Sequence, residues 1–255
     1  HPQPDSTQSE FAALYLEEQI EIMEKLRNIT NIEIPLGFIV QNSLRQPVFT
    51  DASTLLLVEH LNRDRQVYQN VSKTYENVQR GDLQNDLKEI LTGIANGLHH
   101  LHEIGALAFD LSQRSIIIYE DNGILVPKLV SFSGASLVRQ RDKLDLEQEE
   151  RDVKRLAPET LASLEHTCKS DVWAMAILFW QMLSGNEPFK EYTDMAEAET
   201  AILEGCLPEN PPNCQIQMYD LLRTCWMLKP EKRPSALNVA QELTDRKERR
   251  VGKEC

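Results

Sequence analysis

The segment Ala106-Leu107-Ala108-Phe109-Asp110-Leu111-Ser112-Gln113-Arg114-Ser115-Ile116-Ile117-Ile118 holds one carboxylate, Asp110, four residues before Arg114 and five before Ser115. A carboxylate can take a proton from a hydroxyl, but general-base help alone is worth only about 10²–10⁴-fold. A divalent cation would need harder donors, since Mg²⁺ favours carboxylate and phosphate oxygens. The nearby Ser115 and Ser131 are neutral hydroxyls and poor ligands for it. The five cysteines (Cys168, Cys206, Cys214, Cys225 and Cys255) are scattered without a C-x-x-C pair. Their odd number argues against a complete disulfide framework and fits reducing conditions. These residues give a base without an evident metal.

The elements around Asp110 can be read from periodicity. Leu83, Leu87, Ile90, Leu91, Ile94, Leu98 and Leu101 follow helical spacing, with Asp82 as a candidate N-cap and Gly105 as a stop. Residues 116–118 and 125–130 read as strands around the turn Glu120-Asp121-Asn122-Gly123. Upstream, residues 10–26 form an amphipathic helix with Leu16, Ile20, Met23 and Leu26 on one face. Residues 35–40 and 54–58 read as strands separated by a polar, turn-rich stretch, and 62–82 as polar and irregular with a short helix. Residues 134–156 read as irregular. Helices follow at about 172–184, 194–204, 216–228 and 235–247, punctuated by Pro208, Pro211, Pro212, Pro230 and Pro234.

At 255 residues the chain fits one large domain or two small lobes. With 41% hydrophobic and 26% charged residues it reads as globular, and a net charge of −13 argues against nucleic acid or an anionic membrane as partner. The most apolar run, 172–183, is too short to span a bilayer and reads as a buried helix. The polar start at His1-Pro2-Gln3-Pro4-Asp5 carries no signal peptide pattern.

Three further segments carry a family resemblance: Ala157-Pro158-Glu159, Lys169-Ser170-Asp171-Val172-Trp173, and Cys225-Trp226-Met227-Leu228-Lys229-Pro230-Glu231-Lys232-Arg233-Pro234-Ser235. They resemble the A-P-E, S-D-V-W and C-W…P-x-x-R-P-S segments of protein kinases, and residues 106–118 resemble the catalytic loop H-R-D-L-x-x-x-N. Arg114, and Val153-Lys154 ahead of Ala157, lean towards the tyrosine kinase branch. The resemblance covers about residues 10–245. It implies an α+β, protein-kinase-like fold in which a truncated small α/β lobe precedes a large, mainly helical lobe. Residues 1–61 would be the partial small lobe, 62–247 the large lobe and 248–255 a tail. It also implies a buried Glu159–Arg233 ion pair, an Asp171 carboxylate that accepts catalytic-loop amides, and core packing for Trp173, Phe179, Trp180 and Trp226.

Against that pattern the chain departs at the chemistry. The catalytic-loop His, Arg and Asn read Ala108, Phe109 and Ser115, and the D-F-G Asp reads Ser131. There is no G-x-G-x-x-G loop and no strand lysine, so the chain reads as starting just after that strand. The helix glutamate that pairs the lysine falls at Gln19 or, with a one-residue shift, at Glu18. Asp110 matches the catalytic base as a relic, or persists by hydrogen-bonding its own loop. Val58, Glu59, Leu61 and Ile117 outline an adenine slot, with 59–61 as hinge; Leu36, Met23 and Phe132 would stack above Ala108. ATP binding is expected to be weak or absent, with no Mg²⁺ and no metal residues. Residues 134–156 lack Tyr and Thr, and 142–152 hold six carboxylates against Lys143 and Arg151. This run is a docking surface for a basic partner or a solvated loop, and a phospho-switch is not expected there. The expectation is a pseudokinase scaffold or allosteric regulator in intracellular signalling. Its partners would be other signalling proteins, an active kinase among them, and it would be cytoplasmic, either alone or within a larger membrane protein. The alternative is a weakly active kinase with Asp110 as base.

Overall fold

The computed structural model describes residues 21–22, 24–26, 29–32, 37–41, 44–48, 84–108, 111–121, 124–129, 136–137, 152–212 and 214–251. Strand β1 (Gly37–Gln41) pairs antiparallel with β2 (Leu44–Val48), in register from Gly37↔Val48 to Gln41↔Leu44. β2 lies where the sequence reads as turn-rich, which corrects that expectation. The register leaves two residues between the strands, and backbone pairing with β1 holds a five-residue strand whose sequence shows no strict alternation. The strand expected at 54–58 lies outside the described residues. Of the helix expected at 10–26, Ile22 and Leu26 are fully buried, one turn apart, and the Leu26 N–H donates to the Ile22 carbonyl at 3.1 Å. Ile22 was absent from the expected face.

Helix α1 (Gln84–Glu103) buries Leu87, Ile90, Leu91, Ile94, Leu98 and Leu101, as its periodicity requires. It stops ahead of Gly105, whose φ of +75° a side chain would strain. The short strand β3 (Ala106–Leu107) leads to a 3₁₀ turn, Gln113–Ser115, and then to β4 (Ile116–Asp121) and β5 (Ile124–Leu129). β4 and β5 pair antiparallel down to Asp121↔Ile124, leaving Asn122-Gly123 as the link, the dipeptide that two-residue hairpins favour.

This hairpin packs on α1 through two glycines. A Cβ at Gly93 would meet Pro127 Cγ at 2.4 Å, and one at Gly97 would meet Leu129 Cδ1 at 2.6 Å. Only a hydrogen at these positions lets the helix lie so close to the strand. Asn31 clamps the same seam: its Nδ2 donates to the Pro127 carbonyl at 3.1 Å, and its carbonyl accepts the Leu129 N–H at 3.0 Å. On another flank α1 packs against the last helix, α6 (Ala236–Val251).

Strand β6 (Ser136–Leu137) pairs with β3, and a 3₁₀ turn occupies Val153–Arg155, so 134–156 is not wholly irregular. A two-residue backbone ladder needs no apolar alternation and leaves no sequence trace. Next come α2 (Pro158–Ser163), α3 (Cys168–Ser184), α4 (Met195–Leu203), α5 (Ile216–Cys225), a 3₁₀ turn Pro230–Lys232, and α6. α3 is buried on all sides from Ser170 to Met182. It is opened by a Thr167–Ser170 capping box and closed by Gly185.

Three ends differ from expectation. α3 starts at Cys168 rather than 172, where the Thr167 cap opens it. α5 stops at Cys225 rather than 228, because the Trp226 N–H turns to both the Leu222 and Arg223 carbonyls and tightens the last turn. α6 runs to Val251, past the boundary read at 247. Its last residues, Lys247-Glu248-Arg249-Arg250-Val251, contain no helix breaker before Gly252. Trp173, Phe179, Trp180 and Trp226 are all buried, as the sequence requires. Among the described residues no helix is long and apolar enough to cross a membrane.

Candidate functional site

The catalytic-loop remnant leaves α1 through β3, so Ala106–Leu107 is fixed by its ladder to Ser136–Leu137. Ala108 follows, buried, and its N–H donates to Asp171 Oδ2 at 2.8 Å. That is the loop-amide bond expected of Asp171. Phe109, Asp110 and Ser131 lie outside the described residues, as do Val58, Glu59 and Leu61 of the expected adenine slot and Leu36, Met23 and Phe132 of the expected spine. Ile117 is placed in β4, opposite Lys128.

Ser115, at the metal-ligand position, is buried and turned into its own loop. Its Oγ accepts the Ser112 N–H at 2.9 Å and donates to the Ser112 carbonyl at 2.7 Å. The hydroxyl proton and one lone pair therefore close the 3₁₀ turn. A hydroxyl is already a weak ligand for a hard cation, and binding one here would require breaking this pair of bonds. The residues present do not fit the Mg²⁺ of an active kinase, so no chemical step is routed through that ion.

Asp171 carries more than one loop amide. At 0% exposure, its Oδ2 also meets His102 Nε2 at 2.9 Å, and its Oδ1 meets His166 Nε2 at 2.6 Å. Burial works to raise its pKa. The charge and hydrogen bonds of the two imidazoles outweigh that and hold the carboxyl well below its ordinary range. Burial likewise works against charge on His102. The Asp171 hydrogen bond, joined by Cys168 and by the Asp171 charge, overcomes it and lifts His102 to about 9. Thus the end of α1, the α2–α3 connection, the start of α3 and the catalytic-loop remnant meet on one carboxylate. Neither histidine was anticipated. His102 reads as a polar helix position beside His99 and His100, and its partner is 69 residues away.

The second anchor matches expectation. Arg233 Nη1 and Nη2 donate to Glu159 Oε1 and Oε2 at 2.7 and 2.8 Å, a bidentate pair. The arginine also donates to the Met227 and Lys169 carbonyls and lies 5.0 Å from the Trp173 ring centroid. Ser170 Oγ donates to Glu159 at 2.8 Å. Burial would raise Glu159, but the Arg233 hydrogen bonds prevail and keep it below its usual value. Every donor direction of the guanidinium that these bonds use is fixed by the fold. Lys154, in the 3₁₀ turn before α2, extends its Nζ to the Tyr192 carbonyl at 2.8 Å and ties that turn to the helical lobe.

Comparison with known proteins follows the same lines. The pattern of the family described as protein tyrosine and serine/threonine kinase matches residues 4–243. An inactive tyrosine-protein kinase RYK of Caenorhabditis elegans is 30% identical over 164 residues, 62% of this chain and 27% of that protein. A fibroblast growth factor receptor 1 of Pleurodeles waltl is 27% identical over 243 residues, 94% of this chain and 29% of that protein. A fibroblast growth factor receptor homolog 1 of Drosophila melanogaster is 28% identical over 162 residues, 63% of this chain and 22% of that protein. The chain therefore spans less than a third of the length of these relatives.

Proposed function

This chain belongs to the protein tyrosine and serine/threonine kinase family, and from that membership we propose a pseudokinase domain that acts as a scaffold or allosteric regulator in signalling, with little or no phosphotransfer. One observation carries the reading. Ser115, where the family keeps a metal-binding Asn, spends its hydroxyl on the backbone of Ser112, while the Asp171 and Glu159–Arg233 anchors that hold the lobe are intact. Phosphoryl transfer depends on charge neutralisation by metal more than on a base, so loss at this position removes chemistry without removing architecture. Ser131 in place of the D-F-G Asp points the same way. The similarity to a protein named an inactive tyrosine-protein kinase is consistent with it. The domain would bind ATP weakly or not at all, would bind no Mg²⁺, and would work by docking other signalling proteins, an active kinase among them, on the cytoplasmic side.

The test is a phosphotransfer assay with labelled ATP, Mg²⁺ or Mn²⁺ and a tyrosine-containing polymer, run beside nucleotide thermal shifts. No transfer above the Asp110→Asn background is expected, and no metal-dependent rise in melting temperature. Mg²⁺-dependent transfer that disappears in Asp110→Asn would replace this reading with that of a weakly active kinase using Asp110 as base.

A further inference from the structure

Helix α4 spends one side on the fold. Ala198, Ala201 and Ile202 are buried, and the helix packs against the 3₁₀ turn Val153–Arg155 and α2. Its other side is exposed and carries large apolar residues. Met195 and Leu203 are 51% and 42% exposed, and with Glu199 they form one ridge at i, i+4, i+8 spacing. A third apolar side chain joins from the segment after α5. Beyond Leu203 the chain turns at Gly205, with φ of +89°, and a Cβ there would meet Leu228 Cδ1 at 3.2 Å. Leu228 is itself 49% exposed. Exposed apolar side chains gathered on one face mark interaction sites more often than chance placement does. The charge around them selects the occupant. From residue 191 to 222 the chain has seven carboxylates and no lysine, arginine or histidine. Glu197, Glu199 and Glu204 belong to α4 and its C-cap, and Lys229 stands at the far edge, next to Leu228. An apolar ridge flanked by carboxylates repels anionic membrane and nucleic acid and complements a cationic, partly apolar segment.

We propose that the exposed side of α4, with Leu228, is a docking surface for a basic amphipathic helix of a partner protein. The partner's apolar side chains, recurring at helical spacing, cover Met195, Leu203 and Leu228. Its lysines or arginines meet Glu197, Glu199 and Glu204. Met195 and Leu203 are about 12 Å apart along the helix axis, so about two turns of the partner suffice to span them. Apolar burial supplies the affinity, and the carboxylates set the approach and reject acidic partners. The proposal takes from the scaffold reading only that the domain docks other proteins, and does not depend on whether it retains phosphotransfer.

The experiment follows the fluorescence anisotropy of a labelled synthetic helix of leucine and lysine, its leucines at i, i+4 spacing, as the purified 255-residue chain is added without nucleotide. Two further peptides serve as controls: one with glutamate in place of lysine, and one with the first composition in scrambled order. Only the first peptide is expected to bind, more weakly as salt is added, and about tenfold more weakly to Leu203→Asp or Glu204→Lys. Ile216→Asp changes another exposed apolar residue, at the end of α5 about 14 Å from its Cys225 end, and should leave binding unchanged. Absence of binding overturns the proposal, as does equal binding of the scrambled peptide. An unchanged affinity in Leu203→Asp, or an equal loss in Ile216→Asp, does the same. Self-association of the chain that Leu203→Asp abolishes would assign the face to a second copy and overturn it too. If Leu203→Asp does not fold, Glu204→Lys decides. The phosphotransfer assay reads separately, so failure of either reading leaves the other standing.

Discussion

Replacing His102 by Gln removes one titrating group from the Asp171 cluster while keeping a side chain that can donate to the carboxylate. His102 is lifted from 6.5 to about 9 in the fold. At about 1.36 kcal/mol per unit, the protonated ring contributes roughly 3 kcal/mol, and its side chain is only 11% exposed, so solvent screening takes little from that figure. The folded pKa lies above the unfolded one. The contribution is therefore complete below about pH 6.5 and declines as the pH rises, vanishing near 9. Urea unfolding of both chains at pH 6, 7.5 and 9.5 reads this directly. The stability difference between the unaltered chain and His102→Gln should shrink by roughly 3 kcal/mol across that range. Titration of Cys225, Tyr192 and Tyr219 is common to both chains and cancels in the difference. A difference that moves by less than about 1 kcal/mol would refute the argument that Asp171 holds His102 charged.

Three other outcomes follow from single contacts. Arg233→Ala should cost about 3–5 kcal/mol in urea unfolding, because it strands a Glu159 carboxylate; adding Glu159→Ala should then cost less than the two single changes summed. Gly97→Ala should destabilise by about 1–3 kcal/mol, although alanine is the better helix former, because the new Cβ would sit 2.8 Å from the Asn31 carbonyl oxygen; a gain in melting temperature would show that the helix–hairpin seam can relax. Ser115→Ala should lower stability by about 1–3 kcal/mol through the buried Ser112 groups it leaves unpaired, with no effect if that turn is already open to water.

Residue periodicity was enough for the larger elements. α1 is legible because six apolar residues recur at helical spacing and Gly105 ends them, and β4–β5 because two apolar runs flank Asn122-Gly123. β2 and β6 were not legible, because each is held by backbone pairing with one neighbour and carries no apolar alternation. Of the candidate site, Asp171 and the Glu159–Arg233 pair followed from motif positions. The roles of His102 and His166 did not, since nothing in their neighbourhoods along the chain distinguishes them from ordinary polar positions.

What the sequence determined by itself was the family, the order of the helical lobe and the serines at positions 115 and 131 where the family pattern has Asn and Asp, all properties of residue type at fixed spacing. What only the tertiary structure decided was where the remaining polar groups point. Ser115 turns inward to Ser112, and Asp171 gathers an amide and two imidazoles. Hydrogen bonds are directional and act over about 3 Å, so partners as far apart in the chain as residues 102, 108, 166 and 171 are set by packing rather than by pattern.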